Sequence, residues 1–321
     1  MRTSAQIARR GAVPALAPGL AALVGWRIAS CSLRSAPGRR RPRGMLAMMS
    51  FATPVSRYMT CEVIAASDMT PLPEVHRTLG ERAISCVPIL DAASRAIGVL
   101  SRTDLLRLGR FETKTNSRGM LLTLPDVPAR AVLRPGIITV GRATLVVQAA
   151  SVLLKHRIHR VFVREDEALT GVFSTKDLLL SLVEARDPTP IAGLMSAPAY
   201  TIPLDAPLAL AADRLTTAQV SGLVVVDPGG WPVGMFTQTE ALLAHGVLSD
   251  SPVEDVMSPA LVCLDVRTPL HRAAAAAHAA QARRVLVVQG RRLRGVLTGL
   301  DFARAVAGTG VITTAARSRA G

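Results

Sequence analysis

Between residues 55 and 308, the same series of short apolar segments occurs four times along the chain. Each copy begins with a short β-rich run and a turn containing Pro, Asp or Gly, and a helical stretch follows, as in residues 71–82 or 269–282. Two more strands and a closing helix complete the copy. The first strands are predicted at 63–64, 137–140, 199–202 and 261–264, and the strand pairs at 87–90 with 96–100, 161–163 with 169–173, 223–226 with 233–236, and 285–288 with 293–297.

The same two short motifs bound every copy. The copies start at SRYMT (56–60), RAVLR (130–134), AGLMS (192–196) and EDVMS (254–258), and they end at GVLSRTD (98–104), GVFSTKD (171–177), GMFTQTE (234–240) and GVLTGLD (295–301). From the fourth residue of the first motif to the glycine of the second, the distances are 39, 38, 39 and 38 positions. A hydroxyl residue always follows that glycine by three positions and an acid by six. Four internal repeats are therefore indicated, and units this small are expected to pair in order to bury their sheets.

At the glycine–hydroxyl–acid motif the repeats resemble the cystathionine-β-synthase (CBS) domain family. The resemblance covers residues 55–308 and implies an α/β fold of four βαββα-type CBS repeats, paired into two modules of small mixed sheets packed with helices. Module 1 is then 51–187, with repeats 55–110 and 129–184, and module 2 is 188–310, with repeats 191–246 and 253–308. Residues 1–50 are predicted to be an Arg-rich disordered extension, 111–128 a linker, and 311–321 a C-terminal tail.

The resemblance also implies a site for adenosine ligands in the clefts between paired repeats. In the family, the acid that begins the last helix accepts hydrogen bonds from both ribose hydroxyls, and charge-assisted bonds of this kind are strong. The hydroxyl residues lie at the positive end of the same helix, where amides favour phosphate, and the basic pairs before a central strand complete the phosphate site. The predicted nucleotide-binding residues are Ser101, Thr103, Asp104, His159, Arg160, Ser174, Asp177, Thr237, Glu240, Arg283, Arg284, Thr298 and Asp301.

The repeats differ at the position of the basic pair. Repeats two and four carry His159-Arg160 and Arg283-Arg284, whereas repeats one and three carry Ser85-Cys86 and Ser221-Gly222. If ligands bridge paired repeats, Asp104 faces the basic pair of repeat two, and Glu240 faces that of repeat four. The Asp104 cleft is then the strongest candidate, and module 2 is expected to bind nucleotide more weakly. Each motif is equally explained as a helix-capping box, because a Ser or Thr followed three residues later by an acid stabilises any helix start.

The net charge of +15 does not indicate a nucleic-acid-binding domain. Residues 1–50 hold nine Arg and no acid, so the other 271 residues carry only 15 − 9 = +6. Charge confined to a tail is weak evidence for nucleic-acid binding, and aromatic residues, the usual stacking platforms, make up only 3% of the chain. The Arg-rich segment could be a secretory or twin-arginine leader or a transit peptide, but an extension, or a true start at Met45, Met48 or Met49, is the simpler interpretation. No later stretch is apolar enough to predict a membrane span.

The remaining chemistry predicts a regulatory protein without catalysis. The four cysteines form no CxxC pair, which favours a reduced cytoplasmic compartment, no metal site, and a core role for the cysteines after Cys31. No nucleophile–base pair, P-loop or dinucleotide fingerprint is present. The prediction is a non-enzymatic homodimer without a prosthetic group, which binds an adenine nucleotide and signals to a separate effector protein. Two alternatives stay open: a ligand-free scaffold for dimerisation, and a sensor of S-adenosylmethionine or cyclic dinucleotides.

Overall fold

The structure, a computed structural model, describes residues 51–113, 120–133, 135–218, 220–244 and 250–318. The predicted extension 1–50 lies outside the described residues, as do residues 319–321 of the predicted tail. The last helix runs to Ser318, so it continues into the range predicted as a tail.

Each repeat contains the predicted elements in the predicted order, preceded by one turn of 3-10 helix. Repeat one has the turn Val55–Arg57, then β1 Ala66–Ser67, α1 Leu72–Glu81, β2 Cys86–Leu90, β3 Ala96–Ser101 and α2 Arg102–Leu108, and the hairpin β4 Arg110–Thr113 and β5 Met120–Thr123 follows it. Repeat two has Ala129–Ala131, β6 Thr139–Gly141, α3 Val146–His156, β7 Arg160–Glu165, β8 Ala168–Ser174 and α4 Thr175–Ala185. Repeat three has Ile191–Gly193, β9 Thr201–Pro203, α5 Leu208–Thr217, β10 Gly222–Val226, β11 Pro232–Thr237 and α6 Gln238–Leu243. Repeat four has Val253–Asp255, β12 Cys263–Asp265, α7 Leu270–Ala279, β13 Arg284–Gln289, β14 Arg292–Thr298 and α8 Gly299–Ser318.

Every repeat builds the same three-stranded mixed sheet. The first strand runs parallel to the second, and the third runs antiparallel to it, so the second strand is central. The first strand begins two to three residues later than predicted in each repeat: in repeat one it is Ala66–Ser67 rather than 63–64. The cause is visible at Thr60, which still pairs with Val172 of repeat two, so the residues that follow must cross between repeats before they join their own sheet.

The predicted linker 111–128 contains regular structure. Strands β4 and β5 pair antiparallel with Arg110 opposite Thr123, so the segment predicted as a linker contains a β-hairpin. Its apolar run at 120–122 is used for strand pairing. Residues 114–119, which connect the two strands in sequence, lie outside the described part of the chain.

The repeats pair one with two and three with four, and the glycine of the motif explains how. A Cβ atom at Gly171 would lie 2.8 Å from the Met59 sulfur and 3.0 Å from the Thr60 carbonyl oxygen. At Gly295 it would lie 2.6 Å from the carbonyl oxygen of Ser196. The first motif of one repeat therefore crosses directly over the glycine of the paired repeat. No larger residue fits without moving that backbone.

The four repeats contribute unequally to the hydrophobic cores. Repeats two and four share one continuous core, which includes Phe173 of repeat two and Phe302 of repeat four. In it α3 packs on α8 and α4 packs on α7 and α8. The bodies of repeats one and three each have a smaller core of their own, and α2 contacts α6 between them. Repeats two and four are thus joined by a shared apolar core, and among the described residues repeats one and three have separate cores.

Candidate functional site

All four motif acids serve first as capping groups of the closing helices. Ser101 lies at the N-cap of α2, and its amide and hydroxyl donate to Oδ2 of Asp104 at 2.9 and 2.6 Å. Ser174 donates in the same way to Oδ2 of Asp177, at 2.7 Å from both atoms. Thr237 caps α6 through Oε2 of Glu240. The hydroxyls predicted for phosphate are therefore hydrogen-bonded to their own acids, as the capping interpretation expects.

The four acids differ in the hydrogen bonds that their second carboxylate oxygen accepts. Among the described residues, no hydrogen bond reaches the other carboxylate oxygen of Asp104, Asp177 or Glu240. Asp301 is different: Thr298 donates twice to its Oδ2 at 2.7 Å. Its Oδ1 accepts from Ser196 at 2.9 Å and from Arg304 at 2.7 Å.

Asp301 is consequently closed to ligand. Its side chain is 1% exposed and both of its oxygens are occupied. A ribose diol needs free acceptor positions on the acid, so the predicted ribose role of this residue does not fit the geometry. Desolvation raises the pKa of Asp177, and Asp104, Asp177 and Glu240 are all half-buried.

In repeats one and three, Ser85 and Ser221 stand where repeats two and four carry a basic pair. The arginines of those pairs donate hydrogen bonds to these serines. Arg160 of repeat two donates through Nη2 to the Ser85 hydroxyl, and its Nη1 lies 3.4 Å from the Cys86 sulfur. Arg283 of repeat four donates to the same Ser85 hydroxyl at 3.1 Å. Arg283 therefore reaches repeat one, in the other module, although the sequence placed it opposite Glu240.

Arg284 stays within its own module. Its Nη2 donates to the Ser221 carbonyl at 2.6 Å and to the Ser221 hydroxyl at 2.5 Å. The guanidinium crosses Gly222, where an added Cβ would lie 3.0 Å from Arg284 Cζ. Because residue 222 is a glycine, the Arg284 side chain has the space it needs to reach Ser221.

Two further cations, which the sequence analysis missed, lie at the starts of closing helices. Arg102, the first residue of α2, donates to the Leu79 carbonyl at 2.9 Å and contacts Thr239 at 3.4 Å. Lys176, the second residue of α4, donates to Gln281 of repeat four at 3.0 Å. Both are the basic residue inside the motif, at SRTD and STKD, and that shared position was the available signal. We define the central cation cluster as Arg102, Arg160, Lys176, Arg283 and Arg284, together with the imidazole of His159 beside them.

The pKa values within the central cation cluster reflect mutual repulsion. Desolvation, and then the charges of Arg160, Arg102 and Arg284, lower the pKa of Arg283 to about 10. Desolvation lowers the pKa of Lys176, and Arg283 and Arg160 lower it further. His159 keeps more than a third of its surface accessible, but the protein around it partly desolvates the ring. That desolvation, with the charges of Arg284, Arg160 and Arg283, lowers its pKa to about 4, so His159 is neutral at pH 7.

No member of the central cation cluster forms an ion pair in the described part of the chain, although Glu240 acts electrostatically on Arg102 and Arg284, and Asp177 acts on Lys176. Ion pairs between basic and acidic side chains occur elsewhere in the described ranges, for example Arg57 with Glu184, but none of them involves a member of the cluster. Like charges held close together, with these acids compensating only part of the charge, raise the free energy of the empty site. The arrangement is suited to binding an anion with several oxygens.

The amino-acid sequence matches a known family model in four segments. The family model described as CBS domain matches residues 55–110, 129–184, 191–245 and 253–308. The chain belongs to the CBS domain family. Its four CBS repeats agree with the predicted α/β fold of small mixed sheets packed with helices. A comparison with curated proteins finds no match.

Two solved structures share the arrangement of all four CBS repeats. A protein from Methanocaldococcus jannaschii, described as a proposed archaeal homolog of g-AMPK, superposes with a TM-score of 0.65 at 14% identity, over 78% of this chain and 99% of that one. An uncharacterized conserved protein from Pyrococcus horikoshii gives a TM-score of 0.57 at 17% identity, over 79% of this chain and 99% of that one. At these identities the likeness concerns the fold.

The CBS repeats bring together only part of the predicted site. Arg160, Arg283, Arg284 and His159 converge on the central cation cluster. Thr103 does not join them: its hydroxyl donates to Gln238 of repeat three at 2.8 Å. The predicted core role of the cysteines was wrong for Cys61 and Cys263, which are exposed. Cys86 instead borders the cluster, where burial raises the pKa of its thiol despite the opposing effect of Arg160.

Two further observations concern membrane-spanning helices and metal sites. Within the described ranges, no helix combines the length and the apolar character needed to cross a membrane. The same residues contain no group of three or more His, Cys, Asp or Glu side chains placed to hold a metal ion.

Proposed function

We propose that this protein is a non-catalytic regulator that binds an adenine nucleotide between CBS repeats one and two, with the ribose at Asp104 and the phosphates at the central cation cluster. The observation that supports this most is a cluster of cations that form no ion pair among the described residues, close to an acid with a free carboxylate oxygen. Asp104, Arg160 and Arg283 all act electrostatically on the Cys86 thiol, so acid and cations border the same space.

The combination of groups favours a nucleotide over other adenosine ligands. A carboxylate accepts from a vicinal diol, and guanidinium groups bind phosphate oxygens with charge-assisted bonds. S-adenosylmethionine carries a positive sulfonium where the cluster is positive, so it would be repelled there. Cyclic dinucleotides carry phosphates, but their ribose 3′-oxygens are esterified and offer no free diol to Asp104.

The four acids are expected to contribute unequally. Asp301 is closed by Ser196 and Arg304, so we assign it a structural role. Asp177 and Glu240 each keep one oxygen without a hydrogen bond from the described residues, and Arg284 lies near Glu240. These two clefts are secondary candidates, and the Asp104 cleft is the principal one because Ser85, Arg160 and Arg283 meet beside it.

Calorimetric titration of the full chain with AMP and ATP tests the proposal. Asp104→Ala removes the acceptor for the ribose and is expected to weaken binding by about ten- to a hundredfold. Asp213→Ala, a change of an exposed acid on α5, is the matched control and should leave affinity unchanged. Unchanged affinity in Asp104→Ala would refute the ribose assignment. Absence of any nucleotide binding by the wild-type chain would favour the ligand-free scaffold.

The output of the sensor is proposed to pass to a separate effector protein in the cytoplasm, with the chain acting as a homodimer. The chain carries four CBS repeats and no recognisable catalytic motif, which supports a regulatory role. Light scattering of the full chain with and without ATP tests the dimer. A monomeric mass under both conditions would exclude it.

A further inference from the structure

A pocket of about 370 Å³ lies between repeats three and four. Part of its lining is apolar: Ala199, Val226 and Leu293 pack against a small hydrophobic cluster that both repeats share. Strand β13 begins at Arg284 in the central cation cluster and ends two residues before Arg291 of the pocket lining. At about 3.3 Å per residue, the two ends of this strand lie about 16 Å apart, so the pocket is separate from the candidate nucleotide site.

The rest of the pocket lining is basic. Arg291, Arg292 and Arg294 all contribute to it, and all three are exposed. Within the described ranges none of them forms an ion pair. Asp227, an acid in the neighbouring turn of repeat three, accepts a hydrogen bond from the Trp231 amide instead. Arginine is enriched at protein interfaces, and unpaired arginines around a partly apolar pocket favour an acidic segment of a protein as the occupant.

Repeat two carries a turn of the same shape at the equivalent position. In both repeats two residues connect the second and third strands, after a register shift near the end of the second strand. The first of these two residues has a positive φ in each case, 52° at Asp166 and 57° at Gly290. The two turns therefore have closely similar backbones.

The two turns carry opposite charges. Repeat two has Glu165, Asp166 and Glu167 where repeat four has glutamine, glycine and Arg291. Glu165 is paired with Arg142, whereas Asp166 and Glu167 are exposed and form no ion pair among the described residues. Each copy of the chain thus presents an unpaired acidic turn on module 1 and an unpaired basic pocket on module 2.

We infer that the acidic turn of repeat two, residues 165–167, docks into the basic pocket between repeats three and four of a second copy of this chain. The inference rests on the homodimer of the proposed function and names the surfaces that join it. Each copy carries both surfaces, so a pair of copies can form the contact twice, which strengthens an otherwise small interface. Contacts of turn with turn or of pocket with pocket bring like charges together and are disfavoured.

An exchange of the two turns tests the inference by light scattering of the full chain at low salt. The first variant gives repeat two the turn of repeat four (Asp166→Gly, Glu167→Arg and Ala168→Arg). The second variant makes the reverse exchange (Gly290→Asp, Arg291→Glu and Arg292→Ala). The wild-type chain is expected to approach twice the mass of one chain, and about 0.5 M salt should dissociate it because the charges are screened.

Each variant alone is expected to self-associate at least about tenfold more weakly than the wild type, since like charges then meet. An equal mixture of the two variants should associate again. The unchanged acidic turn of the second variant meets the unchanged pocket of the first, and the two exchanged surfaces also have opposite charges. Arg272→Glu, which reverses an exposed charge on α7, is the matched control and should leave the mass unchanged. Melting curves verify that each variant folds.

The outcomes separate the inference from the proposed function. If the wild-type chain dimerises and both variants dimerise equally well, the docking is refuted and the homodimer stands. If only the second variant loses association, a different acidic segment occupies the pocket, and the assignment of the turn of repeat two is refuted. A wild-type chain that stays monomeric at low salt would refute both the docking and the homodimer, whereas nucleotide binding is measured independently by titration with AMP and ATP.

Discussion

Repeats two and four form one half of the molecule and repeats one and three the other. The two halves are held together by different kinds of interaction. Repeats two and four meet through a common apolar core, and α4 and α8 approach so closely that a Cβ at Gly299 would lie 2.7 Å from Thr175 Cβ. Repeats one and three meet through side-chain hydrogen bonds, including Thr103 with Gln238. The acid of repeat four is sealed, whereas the acid of repeat one keeps a free oxygen. Arg160, Lys176, Arg283 and Arg284 nevertheless belong to repeats two and four, whereas the acid with the free oxygen belongs to repeat one.

The largest expected effect concerns the shared core. Phe173 is fully buried there, so Phe173→Ala should lower the free energy of unfolding by about 3–5 kcal/mol and should expose α8 as well as repeat two. Leu79→Ala, in the separate core of repeat one, should act mainly on repeat one. Urea denaturation with hydrogen exchange of both variants checks this. Equal loss of protection throughout the chain in both variants would contradict the division into halves.

The second comparison is between the two acids. Asp301→Asn replaces an oxygen by an amide that faces donors, including Arg304, so it should cost about 2–3 kcal/mol of stability. Asp104→Asn keeps one capping acceptor and should cost less than about 1 kcal/mol, while it weakens nucleotide binding. Thermal melts and ATP titrations of the same two proteins measure both quantities. A stable Asp301→Asn protein with lost nucleotide affinity would reverse the assignment.

A smaller effect is expected at the polar contact between repeats one and three. Thr103→Val removes the hydroxyl that donates to Gln238 and should cost about 0.5–1.5 kcal/mol. A double-mutant cycle with Gln238→Leu isolates the contact. If the two changes were simply additive, the hydrogen bond would contribute nothing to joining the repeats.

The smallest effect is a pH dependence that involves His159. Its pKa of about 4 in the folded chain lies below the value of about 6.5 expected in the unfolded chain. The free energy of unfolding is therefore highest above about pH 6.5 and falls as the pH is lowered towards 4, because the unfolded state binds the proton first. Phosphate beside the ring favours its protonated form, so ATP binding should be accompanied by proton uptake at His159 as the pH is lowered. His159→Gln should remove both changes in melting and titration experiments, and an unaltered pH profile in that variant would refute the role of His159.

The order of elements was predictable because the motif spacing and capping signals are local. The partners of the charged side chains were not, since they join residues such as Ser85 and Arg283 that are far apart in sequence. Local spacing alone also misleads at the acids: Asp104 has Arg107 three residues later, as Asp301 has Arg304, but only the second pair forms an ion pair among the described residues. The difference comes from burial and from Ser196, which the sequence of repeat four does not contain.

The exchange of first turns between paired repeats has a consequence for synthesis on the ribosome. The Val55 amide bonds to the Thr144 carbonyl, about ninety residues further along the chain. At a translation rate of about 5–20 residues per second, the first turn of repeat one waits roughly 5–20 seconds for its binding surface. Until then Phe51 and Val55 are without the core that buries them, so the nascent chain is most open to chaperones, or to another nascent copy, during that interval.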